Sequence, residues 1–328
     1  MRILVADALE ASAVSALEAA GHQCQVERDL TGESLSDHIA DYEALIVRST
    51  KVTGDTLAAG KALKLVVRAG AGTNTIDVDA ATNAGVVVTN VPGRNAAAVA
   101  ELAMGLMLAI DRKIPEGVIA LRAGQWNKKG MSKGARGLKG STLGIVGLGS
   151  IGLGVASRAQ AFGMNVKALR RPGRSAATEK TITDLGIELY DSLPELAAAV
   201  DILTLHIPSG GDTKGTVDAQ TLAAMRPGSV LINTSRADIV DAEALLAALN
   251  SGNLRAGLDV YPDEPGTGTA EWTSAISAHP AVTGTHHIGA STEEAQLAVA
   301  EGVVDVVAAF VSGDPIHVVN PKSLGTSG

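Results

Sequence analysis

Short, continuously apolar runs recur along this chain, and most are followed by a segment with helical spacing. Arg2–Asp7 is the first, and Ala8–Ala20 follows it with Val14, Leu17 and Ala20 in helical register and Gly21 as its stop. Cys24–Glu27, Ala44–Arg48, Leu65–Arg68 and Val86–Thr89 read as further strands, with a short helix at Leu35–Ile39. Strands that are apolar throughout, rather than alternately, are those buried on both faces of a parallel sheet. The alternation of strands and helices therefore predicts a small doubly wound α/β unit over residues 1–96.

The pattern then changes. Arg94–Arg112 is a long helix, Ile114–Arg122 continues helical, and Gly124–Gly140 is a polar Gly- and Lys-rich loop. A second series of apolar strands follows at Leu143–Val146, Asn165–Leu169, Ile202–His206, Ser229–Asn233, Ala256–Asp259 and Ala281–Gly284. Helices are expected at Ala219–Met225 and Ala242–Asn250, and a final one at Glu293–Val311.

Within this series, Leu143–Gly154 joins a buried strand to an Ala-rich helix through Gly147, Gly149 and Gly152, a G-x-G-x-x-G turn. The first glycine allows the tight turn, the second lets backbone approach a pyrophosphate, and the third lets helix pack closely on strand. The N–H groups at the start of the helix then face an anion. With 37 glycines in the chain the motif alone is weak; the flanking strand and helix give it a dinucleotide reading.

Composition narrows the function classes. The chain is 46% hydrophobic and 19% charged, as folded globular proteins are. Aromatics at 2% and a net charge of −8 argue against stacking on single strands, nucleic-acid binding and membrane-surface binding. The single cysteine, Cys24, excludes an internal disulfide and fits a reducing compartment. The N-terminus lacks the pattern of a secretory signal, and Ala96–Ile110 is too short to span a bilayer, so a cytoplasmic location is expected.

Three of the later strands end in a loop that carries one ionisable residue of a different kind: Arg236, Glu264 and His287. Ligands of open parallel sheets bind outside the carboxyl ends of the strands, so these residues share a rim with the glycine turn. A guanidinium clamps a carboxylate and polarises a carbonyl, a histidine moves the proton, and a carboxylate beside it holds the tautomer. The histidines lack the spacing of metal ligands, so no metal is expected.

With those residues in view, the chain resembles the D-2-hydroxyacid dehydrogenases, and is most similar to the short D-3-phosphoglycerate dehydrogenases. The likeness runs through Ile46–Val52, Arg68–Thr73, Ala100–Leu102, Gly144–Gly152, Met225–Gly228, Asn233–Arg236, Leu258–Val260, Asp263–Pro265 and His287–Thr292. It implies two doubly wound parallel-sheet domains. A Rossmann dinucleotide domain, residues 97–290, is inserted in a flavodoxin-like substrate domain formed by residues 1–96 and 291–328, with the substrate in a cleft between them. The family's catalytic Arg, Glu and acid/base His fall on Arg236, Glu264 and His287, with His286 a bystander. The nicotinamide-carboxamide acceptor falls on Asp259, and further cofactor contacts on Ser150, Ile151, Ile207, Thr234, Ser235, Gly289 and Ala290. Arg48 and Arg68 match substrate-binding cations of the phosphoglycerate branch, and the backbone of Ala71 and Gly72 the loop that receives the substrate carboxylate.

The implied reaction is the NAD(P)-dependent oxidation of 3-phosphoglycerate in serine synthesis, with the C2 hydride passing to the nicotinamide. An NADPH-linked glyoxylate/hydroxypyruvate or other 2-ketoacid reductase is the alternative; a nucleotide-sensing corepressor-like binding protein is a remoter one. The resemblance also implies a homodimer through the helix from Asn95 to Arg112 and the segment after it. Only a short tail follows Pro321, so feedback inhibition by serine through a C-terminal domain is not expected. One position departs from the family. The second strand of an NAD-binding unit normally ends in Asp or Glu, which accepts hydrogen bonds from the ribose hydroxyls. Here Arg170 stands there, followed by Arg171, Arg174 and Ser175, which predicts a preference for NADP(H).

Overall fold

The computed structural model describes residues 1–266 and 269–324. By its internal contacts the chain divides into two units, Met1–Asn95 with the segment from Ser291 onward, and Ala96–Ala290.

In the first unit, β1 (Arg2–Val5), β2 (Gln23–Val26), β3 (Ala44–Val47), β4 (Leu65–Arg68) and β5 (Val87–Asn90) pair in parallel in the order β2-β1-β3-β4-β5. This is the flavodoxin-like order. Both faces are covered, which explains the unbroken apolar runs. Ile3, Val5, Ile46 and Val67 pack with Leu17, Val303 and Val307 on one face. Leu4, Leu45, Val66 and Val88 pack with Leu35 and Ile39 on the other. Val303 and Val307 belong to the helix Glu293–Val311, whose first turn is capped by the Thr292 hydroxyl accepting from the Ala295 N–H.

In the second unit, β6 (Thr142–Val146), β7 (Asn165–Leu169), β8 (Glu188–Tyr190), β9 (Ile202–Leu205), β10 (Ser229–Asn233), β11 (Leu254–Leu258) and β12 (Val282–Gly284) run in the order β12-β11-β10-β9-β6-β7-β8. Counted from β6, this is the Rossmann order, with its switch point between β6 and β9. The helix Ala96–Arg112 lies on this sheet. A side chain at Gly257 would run into Ile232 at 2.6 Å and Ile110 at 3.0 Å, so glycine there lets helix and strand approach closely.

The loop expected over Gly124–Gly140 contains a short helix, Lys128–Ser132, capped by Asn127 accepting from the Gly130 N–H at 2.9 Å. Strand β8 and the helices Ala176–Asp184 and Leu193–Ala198 lie between β7 and β9, where the apolar pattern predicts no element. Among the described residues, no helix is long and apolar enough to cross a membrane.

Candidate active site

The glycine turn opens the site at the end of β6. Gly147 has φ +100°, and a Cβ there would lie 2.3 Å from the His206 carbonyl oxygen and 2.7 Å from the Ile207 side chain. A Cβ on Gly152 would lie 1.9 Å from the Gly147 carbonyl oxygen, so the helix is seated hard against the turn. Around Gly149 there is nothing within 4 Å of that position, which leaves backbone open to an approaching group. Gly149 is also the N-cap of the helix Ser150–Ala161 and brings no side chain to accept the first N–H groups, those of Ser150, Ile151 and Gly152. Open backbone and uncapped donors fit a pyrophosphate, so the turn fits a dinucleotide.

Two buried polar atoms beside it lack partners. His206, just past β9, donates its N–H to the Val146 carbonyl at 2.7 Å and pairs its Nε2 with the Thr204 hydroxyl at 2.9 Å. Its Nδ1 has no hydrogen-bond partner, nor has Oγ1 of Thr234 just past the adjacent β10. Burial pushes the His206 imidazole down to about 3, so it is neutral. Thr234 was among the expected contacts; His206 was not, although a polar residue closing the run LTLH was a signal for it.

Arg236, Glu264 and His287 follow β10, β11 and β12, neighbouring strands, and so lie along one rim. The loop of Arg236 is stitched to the sheet. The Ser235 N–H donates to Asn233 Oδ1 at 3.0 Å, Asn233 Nδ2 to the Arg236 carbonyl at 2.8 Å, and the Ser235 hydroxyl to the Leu205 carbonyl at 2.7 Å. Glu264 accepts the Tyr261 N–H at 3.1 Å through Oε2, and its Oε1 is hydrogen-bonded to Nδ1 of His287. An imidazole nitrogen facing a carboxylate carries the proton, which leaves Nε2 of His287 as the basic atom. Burial alone would raise the Glu264 carboxyl. The hydrogen bonds from His287 and Tyr261, with the charges of His287 and Arg236, outweigh it and hold the group below its ordinary value.

The backbone is strained here. Among the described residues only four other than glycine have positive φ, and two of them are Asp263 (55°), next to Glu264, and His287 itself (53°). Asp259 is what holds His287 in place. Its Oδ1 accepts from the Thr285 hydroxyl at 2.6 Å and the Ile288 N–H at 2.9 Å, and its Oδ2 from the Gly289 N–H at 2.8 Å. Three of about four acceptor positions are thus used, leaving one on Oδ2. This anchoring of the His287 loop is a role the sequence reading missed. Ala290 follows, half-buried, and His286 is exposed.

At the end of β7 the arginines are unequal. Arg170 is exposed, and its Nε donates to Asp191 Oδ1 at 2.6 Å. Arg171 is exposed. The side chain of Arg174 is only 8% exposed; it donates to the Leu169 carbonyl at 2.9 Å and leaves its second terminal nitrogen without a hydrogen-bond partner.

In the first unit, Arg48 and Arg68 stand at the ends of β3 and β4. Asp7 accepts the N–H groups of Arg48, Ser49 and Thr50 at 2.7, 3.1 and 3.0 Å and so shapes the Arg48 loop. Arg48 reaches Gln296 at 3.4 Å. The Arg68 guanidinium lies over Gly70, where a Cβ would fall 1.7 Å from it. Asn90 donates to the Ala71 carbonyl at 2.6 Å and holds the Ala71–Gly72 loop beside it. Among the described residues, no cluster of His, Cys, Asp and Glu could hold a metal ion.

A Rossmann sheet that gathers Arg, Glu and His along its carboxyl rim, beside an uncapped glycine turn, has the parts that dinucleotide-dependent oxidation of an alcohol requires. The sequence pattern of the "D-isomer specific 2-hydroxyacid dehydrogenase, NAD binding domain" matches residues 104–289. The chain is 39% identical over 317 residues to the D-3-phosphoglycerate dehydrogenase of Methanocaldococcus jannaschii, covering 96% of this chain and 58% of that protein. It is 40% identical over 308 residues to the hydroxypyruvate reductase of Thermotoga maritima, covering 93% of this chain and 97% of that one. In structure it is similar to an NADPH-dependent glyoxylate/hydroxypyruvate reductase of Sinorhizobium meliloti, with a TM-score of 0.82, 30% identity, and 99% and 98% of the two chains covered. This chain belongs to the D-isomer specific 2-hydroxyacid dehydrogenase family. It spans about six-tenths of the length of the archaeal phosphoglycerate dehydrogenases it matches, 58% and 60%.

Proposed function

We propose that this chain interconverts D-3-phosphoglycerate and 3-phosphohydroxypyruvate with a nicotinamide dinucleotide, using Arg236, Glu264 and His287. The observation that carries the reading is the hydrogen bond from His287 Nδ1 to Glu264, which turns Nε2 into a free base on the same rim as Arg236. When bound, the nicotinamide supplies hydride exchange. The turn Gly147, Gly149, Ser150, Ile151 and Gly152 is assigned to its pyrophosphate, and Ile207, Thr234, Ser235, Asp259, Gly289 and Ala290 to the nicotinamide end. In oxidation His287 takes the proton of the C2 hydroxyl, and the Glu264 carboxylate stabilises the imidazolium that results. Arg236 holds the substrate carboxylate and polarises the developing carbonyl. In reduction the protonated His287 returns the proton.

Arg48 and Arg68, with the backbone of Ala71 and Gly72, are assigned to the phosphate and carboxylate of the substrate. A chain of net charge −8 needs such local cations to hold a trianion. NADP(H) is the preferred cofactor on this reading, with Arg170 and Arg171 toward the 2′-phosphate, supported by the lack of a carboxylate at the end of β7. Arg170→Asp should move the preference toward NAD(H).

A second reading, reduction of glyoxylate or hydroxypyruvate, is favoured by the 40% identity over 308 residues to the hydroxypyruvate reductase of Thermotoga maritima. The two separate in kcat/KM for phosphohydroxypyruvate against hydroxypyruvate and glyoxylate. A preference for the phosphorylated acid that Arg48→Ala abolishes supports the first; equal or faster turnover of the unphosphorylated acids replaces it with the second. The reading also includes a cytoplasmic homodimer. The helix Ile114–Arg122 buries none of its residues, and Ile119 (68%), Leu121 (61%) and Trp126 (82%) stand exposed on or just beyond it. That apolar surface is what a second copy would cover.

A further inference from the structure

Arg170 does not wait free at the end of β7. It is paired with a carboxylate from the neighbouring strand end: Asp191 follows β8, and its Oδ1 accepts from the Arg170 Nε at 2.6 Å. The Arg170 N–H donates to the Tyr190 carbonyl at 2.7 Å, so the two residues are held together by backbone as well. An acidic group is thus delivered to the same corner of the nucleotide sheet as Arg170, from β8 rather than from β7. Arg174, bonded to the Leu169 carbonyl at the end of β7, is almost wholly buried and faces the Glu179 carboxylate at 3.8 Å, so it is already matched with an anion.

We propose that Asp191 is a specificity-determining residue for the cofactor, acting against Arg170. With NAD(H), the Asp191 carboxylate is the acceptor for the ribose hydroxyls, and Arg170 stays paired to it. With NADP(H), the 2′-phosphate draws Arg170 from Asp191. The same carboxylate repels that phosphate, so the chain uses both cofactors with a bias smaller than its arginines alone would set. This rests on the assignment of Arg170 to the 2′-phosphate. Both partners of the pair are exposed, 54% and 78%, so exchanging one anion for another is cheap.

The test is cofactor binding, read from the fluorescence of bound NADPH and NADH and from competition by 2′,5′-ADP and 5′-AMP, at fixed low ionic strength. Asp191→Asn keeps the shape of the side chain and removes its charge. It should tighten NADPH and 2′,5′-ADP by about threefold to tenfold relative to NADH and 5′-AMP, an effect that fades in high salt. An unchanged ratio in Asp191→Asn overturns the role of Asp191. Arg170→Ala in the same titration tests the assignment beneath it. If Arg170→Ala weakens 2′,5′-ADP while Asp191→Asn changes nothing, the phosphate assignment stands and this inference falls. If Arg170→Ala leaves the ratio untouched, the phosphate assignment itself falls.

Discussion

His287 and Glu264 are hydrogen-bonded partners, although 23 residues separate them in the chain and each follows a different strand. Their backbones show what holding the pair requires: His287 at φ 53° and Asp263, next to Glu264, at φ 55° sit in a region L-residues seldom adopt. Loop strain of this kind persists where surrounding bonds over-determine it, and the three hydrogen bonds accepted by Asp259 do so for the His287 loop.

The first prediction concerns pH. Glu264 is held below its ordinary value, so its charged form contributes stability that is present above the unfolded value of about 4.3 and is lost as pH falls through the lower folded value. The pair therefore survives throughout the mildly acidic range. Glu264→Gln should lower kcat roughly tenfold or more at neutral pH and leave dinucleotide affinity within about twofold. An unaltered kcat would remove Glu264 from the mechanism.

His206 makes the opposite use of burial. Its imidazole titrates at about 3 when folded and near 6.5 when unfolded, so the unfolded chain takes up a proton that the folded one refuses. Stability should be complete above about pH 6.5 and fall as pH drops below it, by up to ~1.4 kcal/mol per pH unit. His206→Gln should flatten that slope in denaturant titrations between pH 6.5 and 4. Equal slopes in the two proteins would contradict it.

The glycine turn separates fold from binding. Gly152→Ala sets a Cβ against the Gly147 carbonyl oxygen at 1.9 Å, whereas Gly149→Ala meets nothing within 4 Å. Gly152→Ala should therefore lower both Tm and dinucleotide affinity, the latter by about tenfold or more. Gly149→Ala should leave Tm within about 2 °C and still weaken the dinucleotide, because its methyl occupies the open approach. Calorimetry and fluorescence titration on the two variants decide it; a Gly149→Ala protein that binds normally would move the pyrophosphate elsewhere.

The exposed helix gives a fourth. Ile119→Asp puts a charge on the apolar face of Ile114–Arg122 and should turn a dimer into a monomer in sedimentation equilibrium, with little change in monomer stability. A wild-type chain that sediments as a monomer, or a variant that remains dimeric, would contradict that assignment.

Much of this architecture was legible because its physics is local. Strands such as Ala44–Val47 and Ser229–Asn233 are buried on every residue, and a run without alternation says so directly. The glycine turn declares itself by spacing, and Arg236, Glu264 and His287 by falling after successive strands. Strand β8 did not, because Glu188–Tyr190 is three residues with an exposed Glu and no fully buried position. With β8 unseen, Asp191 had no place beside Arg170, and the arginine looked unopposed. Asp259 was read for its cofactor contact; its hold on Thr285, Ile288 and Gly289 is a tertiary bond across some 30 residues that no spacing reveals.

The proton-transfer role of His287 is tested most directly by the turnover of His287→Asn. Asparagine can still fill the loop but cannot carry a proton at Nε2. The kcat for phosphohydroxypyruvate reduction should fall by about 10²- to 10⁴-fold, with the NADPH dissociation constant and Tm close to those of the unaltered chain. Turnover within a few-fold of the unaltered chain, at equal cofactor affinity, would show that His287 does not move the proton.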